Sequence, residues 1–237
     1  ARELGIKATI FMPLGVALPK LQATRRYGAE VVLEGDTFDE TNAAAQAYVA
    51  QTGAIFIPPF DHPDIIAGQG TVALEMLDAA PDIETLVVAV GGGGLASGVA
   101  AAAKLRAEQQ GRTLRVVGVQ SENTASFVPS LEAGHPVTIS TKPTIADGIA
   151  VARPGDLTFA TVQRFVDEVV TVSDDDIARA IVVLLERTKL VVEPAGAAGV
   201  AAMITGKVRA SGPTATILSG GNIDPLLLDR KSTRLNS

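Results

Sequence analysis

The residues with the clearest chemical potential are four consecutive glycines, Gly91, Gly92, Gly93 and Gly94. They are followed by Leu95 and an alanine-rich stretch, and preceded by the apolar run Thr85 to Val90. A strand, a turn stripped of side chains and a helix, in that order, let backbone N–H groups converge on an anion at the positive end of the helix. The chemistry read here is phosphate binding. A tight turn with no ligand is the alternative, but it would carry the conformational entropy of four glycines to no purpose. Gly91, Gly93 and Ala96 also satisfy the G-x-G-x-x-A pattern of dinucleotide folds, which expects an acidic residue at the end of the next strand. That strand ends Val119-Gln120-Ser121, with Glu122 arriving late, which argues against NAD.

A second cluster follows the last strand signal, Ile217-Leu218-Ser219-Gly220-Gly221-Asn222. A hydroxyl at the carboxyl end of a parallel strand lies where open α/β sheets place ligand-binding groups, and Ser219 could bond a ring nitrogen. A turn-capping serine is an equal reading of Ser219 taken alone. The two histidines, His62 and His135, are too isolated for a histidine metal centre and read as surface loop residues. With no cysteine there is no disulfide, thiolate metal site or cysteine nucleophile, which favours a cytoplasmic protein.

Elements that could position these residues alternate along the chain. Strands are expected at 29–33, 54–57, 85–90, 114–119, 168–172 and 214–218, and helices at 19–27, 37–51, 70–79, 95–110, 158–165, 174–187 and 194–204. The opening Ala1 to Lys7 reads as the end of a helix running into the apolar run Ala8 to Met12, so a truncated N-terminus is expected. Repeated βα units imply α/β architecture, with mostly parallel twisted sheets and flanking helices. The apolar fraction of 47%, with few aromatics, suits strands buried on both faces. The net charge of −6 is spread along the chain with no basic stripe, which excludes a nucleic-acid platform, and no apolar stretch is long enough to span a membrane.

The prolines Pro58 and Pro59 mark a boundary. Residues 1–57 are expected to be part of a small domain, 58–230 a large domain lacking its N-terminal portion, and 231–237 a non-native-looking tail.

Seven segments then occur in a telling order: Phe56 to Asp61 (FIPPFD), Ile66 to Glu75 (IAGQGTVALE), the glycine turn, Val116 to Asn123 (VVGVQSEN), Ile145 to Gly148 (IADG), Glu193 to Gly196 (EPAG) and Ser219 to Asn222 (SGGN). In this they resemble the threonine and serine ammonia-lyases (dehydratases), which share their framework with serine racemase. The resemblance covers residues 1 to 229 and implies fold type II of the pyridoxal 5′-phosphate (PLP) enzymes, the tryptophan-synthase β-like fold. It implies a lyase of amino-acid metabolism, in isoleucine biosynthesis or threonine catabolism, that deaminates L-threonine and L-serine, and a homo-oligomeric parent.

By the same resemblance, Gly91 to Gly94 and Leu95 would hold the PLP phosphate, Ser219 would face the pyridine nitrogen and Glu193 would lie close to the cofactor. Ala146, Asp147 and Gly148 would line the substrate side. Tyr27, Lys189 and Asn222 match positions that contact nucleotide effectors in some relatives.

There are two departures from the family pattern. The Schiff-base lysine belongs to a Phe-Lys-x-Arg-Gly-Ala segment and the substrate carboxylate to a Ser-x-Gly-Asn-His loop, and neither occurs here. None of Lys7, Lys20, Lys104, Lys142, Lys189 or Lys207 has that context, so no catalytic lysine is assigned and this stretch alone is expected to be inactive. The positions resembling the metal-binding Glu/Asp pair of serine racemase are Gln120 and Ser126, so no hard-cation site is expected.

Overall fold

The structure is a computed structural model that describes residues 1–221 and 223. It divides after Ile57 into two compact units.

In the first unit, β1 (Thr9–Met12) pairs in parallel with β2 (Glu30–Leu33), and α1 (Leu18–Arg26) connects them. Helix α2 (Phe38–Thr52) packs on β1, with Tyr48 tilted against Phe11 at 5.5 Å between ring centroids. Thr37 starts α2 through a capping box: its hydroxyl accepts from the Glu40 amide while the Glu40 carboxylate accepts from the Thr37 amide. Two local expectations fail here. Residues 1–7 hold only a 3-10 turn at Arg2–Leu4, and residues 54–57 form no strand. The apolar residues of the latter segment find no ladder: Ile55 is 88% exposed and Pro58 and Pro59 follow without N–H groups.

In the second unit, the described residues form a four-stranded, all-parallel sheet in the order β5-β4-β3-β6. The strands are β3 (Thr85–Ala89), β4 (Arg115–Ser121), β5 (Glu168–Val172) and β6 (Thr214–Thr216). The sheet has two covered faces because its central strands are apolar on both. Leu86, Val88, Val90 and Val116 join one buried cluster with α3 (Pro63–Ala79), α4 (Gly94–Gln109) and α6 (Asp156–Phe165). Val87 points the other way, toward Gly199 of α8 (Pro194–Ile204), which packs with α7 (Asp174–Thr188). A short α5 (Phe127–Ala133) seats the fully buried Phe127.

Helix α3 begins at Pro63, two turns before the start expected at residue 70, and His62 caps it by accepting from the Asp64 amide. Gly70 is there for packing. A methyl group on it would lie 3.1 Å from the Gly98 carbonyl oxygen, and one on Gly98 would strike the Ile66 carbonyl oxygen. The two helices therefore meet backbone to backbone. Gly68, on the same helix, faces open space.

These glycines should respond with opposite signs. Gly98→Ala is expected to destabilise the chain by about 1–3 kcal/mol through overpacking. Gly68→Ala should be neutral or stabilising by up to about 1 kcal/mol, as alanine is the better helix former. Urea unfolding of the two variants measures both, and equal effects would contradict the close α3–α4 approach.

Candidate functional site

The four glycines leave the carboxyl end of β3 and become the N-terminus of α4, with Gly93 as the N-cap at φ 98°. No side chain caps this helix, and its first turn holds no acidic residue. Gly92, Gly93, Gly94 and Ala96 are buried, yet among the described residues the N–H groups of Gly91 through Ala96 find no protein acceptor. Ser97 is the first to close a turn, donating to the Gly93 carbonyl at 2.8 Å. Buried amides without partners cost about 1–3 kcal/mol each, so a native chain retains them where a ligand or water completes them. An anion at a helix N-terminus is the partner best suited by charge.

Space explains why every position must be glycine. A methyl group on Gly91 would lie 3.0 Å from Ile149 Cα, one on Gly92 would enter the Phe60 ring, one on Gly93 would come within 2.6 Å of Phe127 Cζ, and one on Gly94 within 2.8 Å of Phe60 Cβ. The turn is walled by side chains in the directions its own would have taken. These features fit the phosphate of PLP: an uncapped helix start, free of negative charge, made of backbone donors alone.

The other residues singled out in the sequence gather beside this turn. Strand β6 runs parallel to β3 with Val87 opposite Thr216, and carrying that register on by three residues puts Ser219 level with Val90. Ser219 is exposed, and its backbone presses on Gly196, where an added methyl would overlap the Ser219 carbonyl oxygen. Glu193 caps the start of α8 by position, and its amide donates to the Gly220 carbonyl at 2.8 Å. The 3-10 turn Asp147–Ile149 spans the gap: Ile149 lies against Gly91, while Gly148 lies against Ala195 and the Glu193 carboxylate. Ala146 is buried, whereas Asp147 and Gly148 are exposed.

Because α4 leaves β3 on one face of the sheet and α8 approaches β6 from the other, these two strand ends lie at a topological switch point, where open α/β sheets bind ligands. The proposed cofactor residues Gly91 to Gly94, Leu95, Ser219 and Glu193 and the substrate-side residues Ala146, Asp147 and Gly148 thus share one edge of one unit.

The proposed effector positions Tyr27 and Lys189 end separate helices, α1 and α7. Tyr27 lies in the first unit, 62% exposed, with the Arg2 guanidinium 5.7 Å from its ring centroid. Lys189 ends α7 in the left-handed conformation (φ 62°), and its ammonium donates to the Glu186 carbonyl. Asn222 lies outside the described residues. Of the would-be metal positions, the Gln120 side chain is wholly buried: its oxygen accepts from the Phe127 amide and its nitrogen donates to the Val90 carbonyl. The Ser126 hydroxyl is buried without a partner. Among the described residues no group of three His, Cys, Asp or Glu could hold a metal ion, and no helix is long and apolar enough to cross a membrane.

Two supporting networks escaped the sequence reading. The Asp61 carboxylate accepts from the Asp156 amide (3.0 Å) and the Thr158 amide (2.9 Å), acting as the cap that Gly155 has no side chain to provide. The Asp174 carboxylate accepts from the Thr144 hydroxyl (2.6 Å) and the Ile145 amide (3.1 Å), fixing the approach to Ala146. A glycine N-cap was the available signal for the first, since it requires an acceptor from elsewhere.

The free amides give a direct expectation. Titration with inorganic phosphate should shift the amide resonances of Gly91 to Ala96 in a 1H–15N spectrum. It should leave the start of α7 unmoved, because Asp174, Asp175 and Asp176 load that turn with negative charge. Small uniform shifts throughout would contradict a built anion site.

Comparison with known proteins agrees with this geometry. The family model described as pyridoxal-phosphate dependent enzyme matches residues 1–220. An L-threonine ammonia-lyase of Thermotoga maritima is 49% identical over 231 residues, 97% of this chain and 56% of that protein. The catabolic L-threonine dehydratase TdcB of Escherichia coli is 44% identical over 224 residues, 93% of this chain and 67% of that protein. The chain thus spans little more than half the length of the first of these relatives. Among solved structures, the processed threonine deaminase isoform 2 of Solanum lycopersicum superposes with a TM-score of 0.88 at 36% identity, covering 98% of this chain and 67% of that one. Maize serine racemase superposes equally well (0.88) at 32% identity, covering 100% and 72%. With its architecture of parallel sheets flanked by helices shared with these fold type II enzymes, the chain belongs to the pyridoxal-phosphate dependent enzyme family.

Proposed function

We propose that this chain is the cofactor-holding part of a PLP-dependent threonine ammonia-lyase, which converts L-threonine, and L-serine as a second substrate, to the 2-oxo acid and ammonia. The observation that carries the reading is the placing of Gly91 to Gly94 and Ser219 at neighbouring ends of β3 and β6, with Asp147–Ile149 packed between Gly91 and Glu193. The names of the relatives support the substrate.

When bound, PLP supplies an electron-withdrawing ring that makes the substrate's α-proton acidic. The chain's own residues do the rest that it can do. The amides of Gly91 to Leu95 would bind the PLP phosphate, and the Ser219 hydroxyl would be the group offered to the ring nitrogen. A hydroxyl at Ser219 would not hold that nitrogen protonated as a carboxylate would, which would favour loss of the β-hydroxyl over other outcomes. Ala146, Asp147 and Gly148 border the substrate near that leaving group, and Glu193 flanks the cofactor. Tyr27, Lys189 and Asn222 are proposed for effector binding. A homo-oligomeric, cytoplasmic enzyme goes with this reading, the latter in keeping with the absence of cysteine.

The serine racemase likeness supplies the competing outcome, and product analysis separates the two. The polypeptide encoded by the complete gene, loaded with PLP, should form 2-oxobutanoate and ammonia in equal amounts from L-threonine. D-Serine from L-serine without ammonia would instead make it a racemase. Ser219→Asp should shift the partition away from elimination, and unchanged products would remove the electronic argument. Residues 1–237 alone are expected to deaminate nothing and, after borohydride reduction with PLP, to show no single stoichiometrically modified lysine.

A further inference from the structure

Deepening the phosphate-binding reading on which it rests, we infer that Thr158 is a positioning residue for the cofactor phosphate. By holding the Gly92 carbonyl, it aims the Gly93 amide at the anion, and Asp61 holds Thr158 in place for that task.

The Thr158 side chain is fully buried, and its hydroxyl donates to the Gly92 carbonyl oxygen at 2.6 Å. The Gly155 amide donates to the same oxygen at 3.4 Å. The peptide joining Gly92 to Gly93 is planar and trans, so its C=O and N–H point in opposite directions. Fixing the carbonyl toward α6 therefore fixes the Gly93 N–H away from α6. A run of glycines has little else to choose that direction, since each residue tolerates both signs of φ. Gly93 itself sits at φ 98°, where a flip of the preceding peptide meets no side-chain barrier.

Thr158 is in turn held from three sides. Its amide donates to Asp61, its hydroxyl makes a further, longer contact with the Gly155 carbonyl (3.3 Å), and its carbonyl accepts from the buried Ser97 hydroxyl at 3.2 Å. Ser97 belongs to α4, one turn beyond the glycines, so the network closes on the helix whose start it orients. Asp61 adds two hydrogen bonds to a charged acceptor, the stronger class. None of these groups needs to touch the ligand.

The test uses pyridoxine 5′-phosphate against pyridoxine, whose alcohol in place of the aldehyde prevents covalent attachment to any lysine. Dissociation constants for both are measured by calorimetry on the 237-residue chain, with far-UV circular dichroism and thermal midpoints recorded for each variant. The parent chain should prefer the phosphorylated compound. Thr158→Val, nearly isosteric but without a hydroxyl, should weaken pyridoxine 5′-phosphate about tenfold and leave pyridoxine within twofold. Thr158→Ser should restore the phosphate preference. Asp61→Asn should weaken the phosphorylated compound alone and by less, and it carries the test should the valine variant fail to fold.

A parent chain with no preference for the phosphorylated compound would overturn the phosphate reading and this inference with it. A preference in the parent that survives Thr158→Val, or Asp61→Asn where that variant stands in, would overturn the inference while leaving the phosphate reading intact. Equal weakening of both compounds would reduce Thr158 to a packing residue and likewise overturn it.

Discussion

The second unit depends on one unfulfilled requirement: α4 begins in the interior with donors that find no acceptor among the described residues. Several of the described helices satisfy their first turn with a side-chain acceptor. Thr37 and Ser173 form capping boxes, His62 accepts from Asp64, and Asp61 reaches across nearly a hundred residues of sequence to cap α6. Helix α4 has glycine at its cap and no acid in its first turn. A carboxylate cap on α4 would take up those donors and repel the anion proposed for them.

The surrounding structure follows from keeping that turn bare and rigid together. Phe60, Phe127 and Ile149 close the directions in which side chains would have stood, so the glycines are packed although they carry nothing. Gly70 and Gly98 bring α3 against α4 at backbone contact, which holds the axis of the helix proposed to receive the anion. Strand β3, buried on both faces, ends beside β6, and the 3-10 turn at Asp147–Ile149 reaches from Gly91 to Glu193. The residues proposed for the phosphate, the ring nitrogen and the substrate side are thereby placed along one edge by elements that pack mainly for other reasons.

Much of this was legible in the residue order, and the failures have physical causes. Glu168–Val172 and Pro194–Ile204 appear with the bounds their patterns suggested, because both are apolar runs with unambiguous stops. Helix α3, expected over 70–79, starts seven residues earlier at Pro63, and Gly70 within it serves an interhelical contact that no local pattern carries. Residues 54–57 look like a strand by composition, but a strand requires a neighbour, and the parallel pair β1–β2 does not extend to them. The glycine turn and Ser219 could be proposed from the sequence because backbone donors and strand-end hydroxyls have recognisable contexts. Thr158 could not: its role exists only once Asp61 and Gly92 are beside it, and both are distant in the chain.

The claim on which the account rests is that the bare amides of the glycine turn receive the cofactor phosphate, with Ser219 at the far end of the ring. A crystal structure of the chain soaked with pyridoxine 5′-phosphate tests this most directly. The account predicts phosphate oxygens at about 2.7–3.1 Å from several amides of Gly91 to Leu95, with the ring nitrogen directed at the Ser219 hydroxyl. Phosphate bound elsewhere, or a glycine turn whose amides are all taken up by neighbouring backbone, would contradict it.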